Sequence, residues 1–304
     1  MILKLGSKGP EVAALQTFLN INADGSFGPK TEAAVKQWQS QNGLVPDGVV
    51  GPKTIAVMGL LDTDKQAVPA LDLKKYFMPV GEYIAGPTDK DWIFLHHTAG
   101  WQNPYQTIDG WKADARGPVG TEFVLGGPSI KGNDNQYDGE LVQAFPQGGY
   151  GWHLSIGNTI MHRNSVGIEV CNFGYVTKGG YQNGKTWIAR DANKFYTYVG
   201  TEAHPDQIVQ LKQPFRGHTH WHKYSEKQIE KLKLWIQWVA DRDGIDPRKG
   251  LVELIHKVGA HKAFDTCDPN MCAAQKGLWL HTNVVLGKVD LFPQQEVVDM
   301  LISL

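Results

Sequence analysis

An eight-residue pattern occurs twice near the start of the chain. Residues 24–31 read Asp-Gly-Ser-Phe-Gly-Pro-Lys-Thr, and residues 47–54 read Asp-Gly-Val-Val-Gly-Pro-Lys-Thr. An Asp-Gly pair favours a tight turn, because glycine adopts positive φ at little cost. The Gly-Pro pair that follows favours a helix start, since proline at the first helical position loses no needed hydrogen bond. The pattern predicts a three-helix unit over residues 1–60 with two equivalent turn-to-helix joints.

Apolar residues recur at helical spacing in the segments where two of these helices are predicted. Two faces carry the pattern: Val12, Leu15 and Leu19, then Ala34, Val35 and Trp38. Residues 5–16 read Leu-Gly-Ser-Lys-Gly-Pro-Glu-Val-Ala-Ala-Leu-Gln. Together with both repeats, this segment resembles the peptidoglycan-binding domain found at the ends of many wall hydrolases. The resemblance implies that bacterial peptidoglycan is the partner of residues 1–60.

The rest of the chain is long enough for a second domain. At 304 residues, the chain has room for two domains of about 150 residues each. Residues 61–79 mix charge, proline and small side chains, so we expect a linker there and a second domain over residues 80–304. Three cysteines make a disulfide framework improbable by count.

Charge and hydropathy exclude several classes of partner. Lys plus Arg is 30 and Asp plus Glu is 31, so no global basic field favours nucleic acid or an anionic membrane. No apolar run approaches the roughly 20 residues of a membrane span, and the first residues hold no apolar signal segment. We expect a monomer made in the host cytoplasm without a signal peptide, which acts on the cell wall after the membrane is breached.

Two histidines follow a short apolar run. Residues 91–95 read Asp-Trp-Ile-Phe-Leu and suit a buried strand, which His96 and His97 leave. Active sites of α/β folds lie at such strand ends. Taken alone, however, a histidine at a strand end is more often a structural residue than a metal ligand. Far along the chain, His281 and Asp290 lie nine residues apart with Gly287 between them, which predicts a loop-bridged pair.

Four segments together resemble the type 2 N-acetylmuramoyl-L-alanine amidases, a family that includes amidase-type phage lysozymes and peptidoglycan-recognition proteins. They are His96-His97-Thr98, Trp152-His153, Asn164 to Glu169, and His281 to Asp290. The resemblance covers roughly residues 80–304. It implies a mixed α/β fold, in which helices flank a central mixed β-sheet.

The resemblance also implies a zinc site. Carried over, the ligands are His96, His281 and Asp290. Two neutral imidazoles and one carboxylate leave a fourth position open for water, as in catalytic zinc sites. Glu169 is implied as general base and acid, and Lys288 as a donor to the oxyanion. Without the resemblance, a glutamate opposite an apolar strand face and a lone lysine would both be surface residues.

The family pattern further implies substrate contacts. Trp152 and His153 resemble a stretch that lines the substrate groove, although Leu154 and Ser155 depart from its usual wording. His153 is therefore expected at the substrate and not on zinc. His97 and Thr98 are also placed at the substrate, with a structural role for His97 as the alternative.

A rival metal signal lies at His218, His220 and His222, which would share one face of a strand. A helix is predicted immediately afterwards, because Ser225 and Gln228 can form a capping box. We therefore expect the triplet in the connection before that helix and do not assign a metal to it. A second group is also expected to be structural: His256, His261, Cys267 and Cys272.

Residues 174–217 and 247–276 are insertions relative to the family, and we expect them to shape the substrate groove. The favoured function is hydrolysis of the bond between N-acetylmuramic acid and L-alanine by a phage or prophage endolysin. The alternatives are a non-catalytic peptidoglycan-recognition protein and a cytoplasmic amidase that recycles soluble muropeptides. A glycan-cleaving lysozyme is disfavoured, since no carboxylate pair stands in a recognisable setting.

Overall fold

The computed structural model describes residues 2–58 and 71–304. The chain divides into two compact units, Met1–Val68 and Pro69–Leu304. The predicted linker at 61–79 falls partly outside the described residues. Its described end is not a linker: Leu73–Lys75 forms a strand at the edge of the large sheet.

The first unit contains the three predicted helices. They are α1 (Pro10–Phe18), α2 (Pro29–Gln41) and α3 (Pro52–Met58). Each begins at the proline of a Gly-Pro pair. Both Asp-Gly turns place their glycine at positive φ, 70° at Gly25 and 77° at Gly48. Because local turn chemistry decides these joints, the sequence was sufficient to predict them.

Two buried glutamines hold the repeats together, and the sequence analysis missed them. Gln16 donates to Asp24 Oδ1 at 2.8 Å and to Thr31 Oγ1 at 3.0 Å, and it accepts from Gly25 N–H at 2.8 Å. Gln39 makes the matching bonds to Asp47, Thr54 and Gly48 at 2.8, 3.2 and 2.9 Å. Each amide thus satisfies the polar groups of one Asp-Gly turn and the helix that follows it.

The second unit is built on a six-stranded sheet in the order β1-β4-β3-β5-β2-β13. The β3–β4 pair is antiparallel and the other pairs are parallel, so the sheet is mixed, as predicted. Its strands are β1 (Leu73–Lys75), β2 (Trp92–His97), β3 (Phe123–Leu125), β4 (Leu141–Gln143), β5 (Ser165–Val170) and β13 (Gly277–Leu280).

Helices cover both faces of this sheet. Ile108 of α4 (Pro104–Lys112) packs in one cluster with Val124. Phe123 precedes Val124 on β3, so its side chain projects from the opposite face of the sheet. It packs against Trp235 with ring centroids 5.5 Å apart. A short α5 (Thr159–Arg163) leads into β5.

Trp235 belongs to the long helix α6 (Glu226–Asp243), which begins with the predicted Ser225–Gln228 capping box. The C-terminal α10 (Gln295–Ile302) contributes Val297 and Leu301 to the same core as α6.

The first insertion folds into small sheets of its own. Its strands are β6 (Thr177–Lys178), β7 (Gly180–Asn183), β8 (Thr186–Ala189), β9 (Phe195–Tyr196), β10 (Glu202–Ala203) and β11 (Ile208–Phe215). The strand β12 (His218–His222) pairs antiparallel with β11. The histidine triplet therefore lies in a strand, and its prediction as a connecting segment was wrong. Long-range pairing with β11 decides this, which local sequence does not reveal.

The second insertion is helical. It contains α7 (Leu251–Val258), α8 (Ala260–Asp265) and α9 (Pro269–Ala274), and β13 follows directly. Within the two described ranges, no helix combines the length and the apolar character that crossing a bilayer requires.

Candidate metal centre

Three side chains that are distant in sequence meet at one edge of the sheet. His96 Nδ1 lies 2.9 Å from His281 Nδ1, and Asp290 Oδ2 lies 3.1 Å from His281 Nδ1 and 3.5 Å from His96 Nδ1. All three residues are buried. They are the three ligands that the sequence analysis expected, and the structure brings them together.

The topology of the sheet explains the convergence. His96 lies near the carboxyl end of β2, and His281 directly follows the carboxyl end of β13, its parallel neighbour. Parallel strands end at the same edge of a sheet, so these two side chains emerge side by side. The loop after His281 then returns Asp290 to the pair, where Thr282 N–H donates to the Asp290 carbonyl oxygen at 3.3 Å.

The charges of the three groups suit a cation. Burial, followed by the neighbouring His281, lowers the pKa of His96 to about 4. Burial alone would raise the pKa of Asp290, but its close contacts with His281 and His96 outweigh burial and hold that pKa well below its ordinary value. Near neutral pH, the cluster therefore combines an ionised carboxylate with neutral His96.

The distances also suit zinc. Tetrahedral ligands about 2.0–2.1 Å from a metal lie about 3.3 Å from one another, and the observed separations of 2.9, 3.1 and 3.5 Å bracket that value. Two imidazole nitrogens and one carboxylate oxygen are the donor set of a catalytic zinc site. The residues present therefore fit the metal that the resemblance implied.

Glu169 lies next to the cluster in the sheet. It is in register with His96 on the paired strands β5 and β2, so both side chains project from one face. Burial and then Asp290 raise the pKa of Glu169 well above its ordinary value, while Lys288 lowers it. Glu169 Oε2 is shielded from solvent, and no described residue hydrogen-bonds to it. This oxygen thus has hydrogen-bonding capacity that the described residues leave unused.

The chain matches two known sequence families. Residues 87–271 match the family model described as N-acetylmuramoyl-L-alanine amidase. The chain belongs to the N-acetylmuramoyl-L-alanine amidase family. Residues 8–58 match a putative peptidoglycan binding domain. His281 and Asp290 lie beyond the matched residues of the amidase model, so their position beside His96 rests on the structure.

Individual relatives of this amidase-family chain match it over short segments. An uncharacterised protein of Kitasatospora aureofaciens is 44% identical over 62 residues, which are 18% of this chain and 52% of that protein. The N-acetylmuramoyl-L-alanine amidase CwlL of Bacillus licheniformis is 36% identical over 92 residues, 27% of this chain and 25% of that protein. The chain thus spans about half or less of the length of these curated relatives.

A solved structure of PlyL is similar to this amidase-family chain at 11% sequence identity, with a TM-score of 0.35. That match covers 59% of this chain and 78% of PlyL.

His153 lies beside His96 and is not one of the three clustered side chains. Its Nδ1 is 3.0 Å from Nε2 of His96, and its Nε2 is 2.8 Å from Ser165 Oγ. Both ring nitrogens are engaged within the protein, so the ring has no free polar atom for substrate. The expected substrate contact is not supported by this geometry. Trp152 packs edge-on against His162, with ring centroids 5.0 Å apart.

His97 and Thr98 also have partners within the amidase-family chain. The buried His97 ring places Nδ1 2.8 Å from the Tyr224 hydroxyl. Thr98 Oγ1 accepts from Asn172 N–H at 3.3 Å. Thr98 remains half-buried beside the site, where its substrate contact stays a prediction.

The rings of the histidine triplet pack on separate partners. His218 stacks on Tyr175 with centroids 3.6 Å apart, and His220 lies 4.5 Å from Phe195. The buried His222 accepts from Phe173 N–H at 3.2 Å. In the second group, His261 Nε2 lies 2.8 Å from the carbonyl oxygen of Pro214, and Cys267 and Cys272 are free thiols.

Proposed function

We propose that this chain is a zinc-dependent amidase that hydrolyses the amide bond between N-acetylmuramic acid and L-alanine in bacterial peptidoglycan. The convergence of His96 Nδ1, His281 Nδ1 and Asp290 Oδ2 supports this proposal most strongly. These three atoms would hold the metal. Bound zinc would polarise the scissile carbonyl and lower the pKa of a water molecule toward neutrality.

Glu169 is the general base and acid of the proposed reaction. It takes a proton from the attacking water and returns it to the departing alanine nitrogen, which balances the proton over the cycle. Its raised pKa suits both halves of this task, because it makes the carboxylate a stronger base and favours the protonated form that donates to the leaving nitrogen. Its register with His96 supports this role, since both side chains project from one face of the sheet.

Lys288 stabilises the oxyanion that forms when water adds to the carbonyl. It is half-buried in the loop between His281 and Asp290. Its charge lowers the pKa of both His96 and Glu169, which supports this role. A Lys288→Met variant should lose much of kcat while keeping its zinc.

The first unit anchors the enzyme to its substrate. Residues 8–58 match a peptidoglycan-binding domain, and a wall-binding unit keeps a hydrolase at an insoluble polymer by raising its effective concentration there. A soluble muropeptide would need no such anchor. We therefore favour an endolysin that acts on the wall after the membrane is breached. Expression in bacteria should cause lysis only when the inner membrane is also permeabilised.

Product chemistry tests the proposed reaction. Digestion of purified peptidoglycan should release new alanine amino groups without new reducing ends, and an Asp290→Ala variant should release neither. New reducing ends from the wild-type chain would indicate a glycosidase instead. Wall binding without either product would indicate a recognition protein, and full activity of the Asp290→Ala variant would contradict the zinc mechanism.

A further inference from the structure

A line of polar groups extends from His96 away from the proposed metal. His96 Nε2 lies 3.0 Å from His153 Nδ1, His153 Nε2 lies 2.8 Å from Ser165 Oγ, and Ser165 Oγ lies 3.3 Å from the His162 carbonyl oxygen. We call His153 and Ser165 the relay. The relay connects a metal ligand to the backbone through two side chains that are not themselves ligands.

Each proton in this line follows from its neighbours. A carbonyl oxygen only accepts, so Ser165 donates to His162 and its oxygen accepts from His153 Nε2–H. A neutral His153 then has a bare Nδ1, which accepts from His96 Nε2–H. A neutral His96 with its proton on Nε2 presents a bare Nδ1 to the metal. One tautomer of each ring satisfies every contact of the relay. The Nδ1 atoms of His96 and His281 and the Asp290 carboxylate are then three acceptors that face one another and are left to a cation.

The tautomer of the other proposed imidazole ligand, His281, is fixed by a single hydrogen bond. His281 Nε2 donates directly to the carbonyl oxygen of Leu154 at 3.2 Å, so its Nδ1 is also bare. Leu154 follows His153 in the chain, and the backbone N–H of His153 donates to His162 Nδ1 at 3.2 Å. His153 and Leu154 thus support both proposed ligands. The His153 side chain contacts His96, and the Leu154 carbonyl oxygen contacts His281.

We propose that His153 and Ser165 are positioning residues, which hold His96 in the tautomer and orientation that bind the metal through Nδ1. This inference rests on the proposed zinc site. Groups that orient metal-bound histidines typically change metal affinity by 10- to 100-fold when they are removed. His153 therefore affects metal binding through His96, without itself contacting the metal.

Zinc affinity tests the proposal without reference to catalysis. Ser165→Ala should raise the zinc dissociation constant about tenfold in competition with a chromophoric chelator, since the acceptor of His153 Nε2–H is lost. Ser129→Ala is the matched control: Ser129 is 2% exposed against 3% for Ser165, and its hydroxyl bonds to Asn133. An unchanged affinity of a folded Ser165→Ala chain would overturn the relay.

A second test uses the wild-type chain, so it does not require that a variant folds. Nitrogen-15 NMR of the zinc-loaded wild-type chain should show the His153 proton on Nε2, and a proton on Nδ1 would overturn the relay. The two proposals also fail differently. A wild-type chain that binds zinc as tightly as its Ser165→Ala variant contradicts the relay alone, whereas a wild-type chain that binds no zinc contradicts the proposed function and the relay with it.

Discussion

The guanidinium group of Arg216 donates to the carbonyl oxygen of Leu286. Leu286 lies in the loop that carries Lys288 and leads to Asp290, whereas Arg216 lies in the turn between β11 and β12. The same guanidinium pairs with Asp265 of α8 at 2.7 Å. The two segments predicted to be insertions, residues 174–217 and 247–276, therefore meet at this loop, and Arg216 connects them to it.

Removing this connection should impair the reaction more than the fold. We expect Arg216→Ala to lower kcat/KM about tenfold, because small displacements of a group at the reacting centre are costly in rate. Steady-state kinetics on peptidoglycan fragments would measure the loss. Arg248→Ala is a suitable control, since Arg248 pairs with Asp246 at 2.9 Å on the exposed surface. Equal effects from the two variants would contradict a role for Arg216 at the loop.

Replacing the proposed base should separate catalysis from metal binding. Glu169→Gln keeps the shape of the side chain but cannot accept a proton, so kcat should fall at least about 100-fold. Zinc content, measured by atomic emission, should stay at the wild-type level. Glu202→Gln, at an exposed glutamate paired with Lys194, should keep full activity. A Glu169→Gln chain with near-normal kcat would exclude Glu169 as the base.

The pH dependence should report the environment of Glu169. Burial and Asp290 raise its pKa well above the ordinary value, and the base acts only when ionised. Activity should therefore fall as pH is lowered through this raised pKa, at a pH above the roughly 4.3 of an ordinary glutamate. A profile of kcat/KM against pH would show the acid limb. The limb should be absent from the residual activity of Glu169→Gln, and its persistence there would assign it to another group.

The two buried glutamines of the first unit should contribute equally to its stability. Gln16→Leu and Gln39→Leu each leave a turn and a helix start without partners, which should cost about 1–3 kcal/mol. Hydrogen exchange of residues 2–58 in the intact chain would measure this as lower protection of α1 to α3. Gln37→Leu, at an exposed position of α2, should leave protection unchanged. Similar losses of protection in all three variants would show that the hydrogen bonds of Gln16 and Gln39 do not stabilise the first unit more than an exposed glutamine does.

Local chemistry and family motifs made part of this structure predictable. The three helices of the first unit follow from Gly-Pro and Asp-Gly pairs, whose effects act within a few residues. His96, His281 and Asp290 were identified through the resemblance, because nothing in their spacing alone shows that they meet.

Other features depend on pairing across long sequence separations. The strand β1 reads Leu-Lys-Lys, which has no apolar alternation, and it forms by pairing with β4. His153 contacts His96 across 57 residues, so its bond to a ligand could not be read from the Trp-His pair. Ser165 lies inside the motif of residues 164–169. Its hydrogen-bond partners, His153 and the His162 carbonyl oxygen, are brought to it by the fold and could not be read from that motif.

Anomalous diffraction at the zinc edge tests the central claim most directly. Crystals of the zinc-loaded chain should show one strong peak about 2.0–2.2 Å from His96 Nδ1, His281 Nδ1 and Asp290 Oδ2. A peak at the histidines of β12 instead, or no peak among these three atoms, would contradict the metal centre on which the proposed amidase reaction depends.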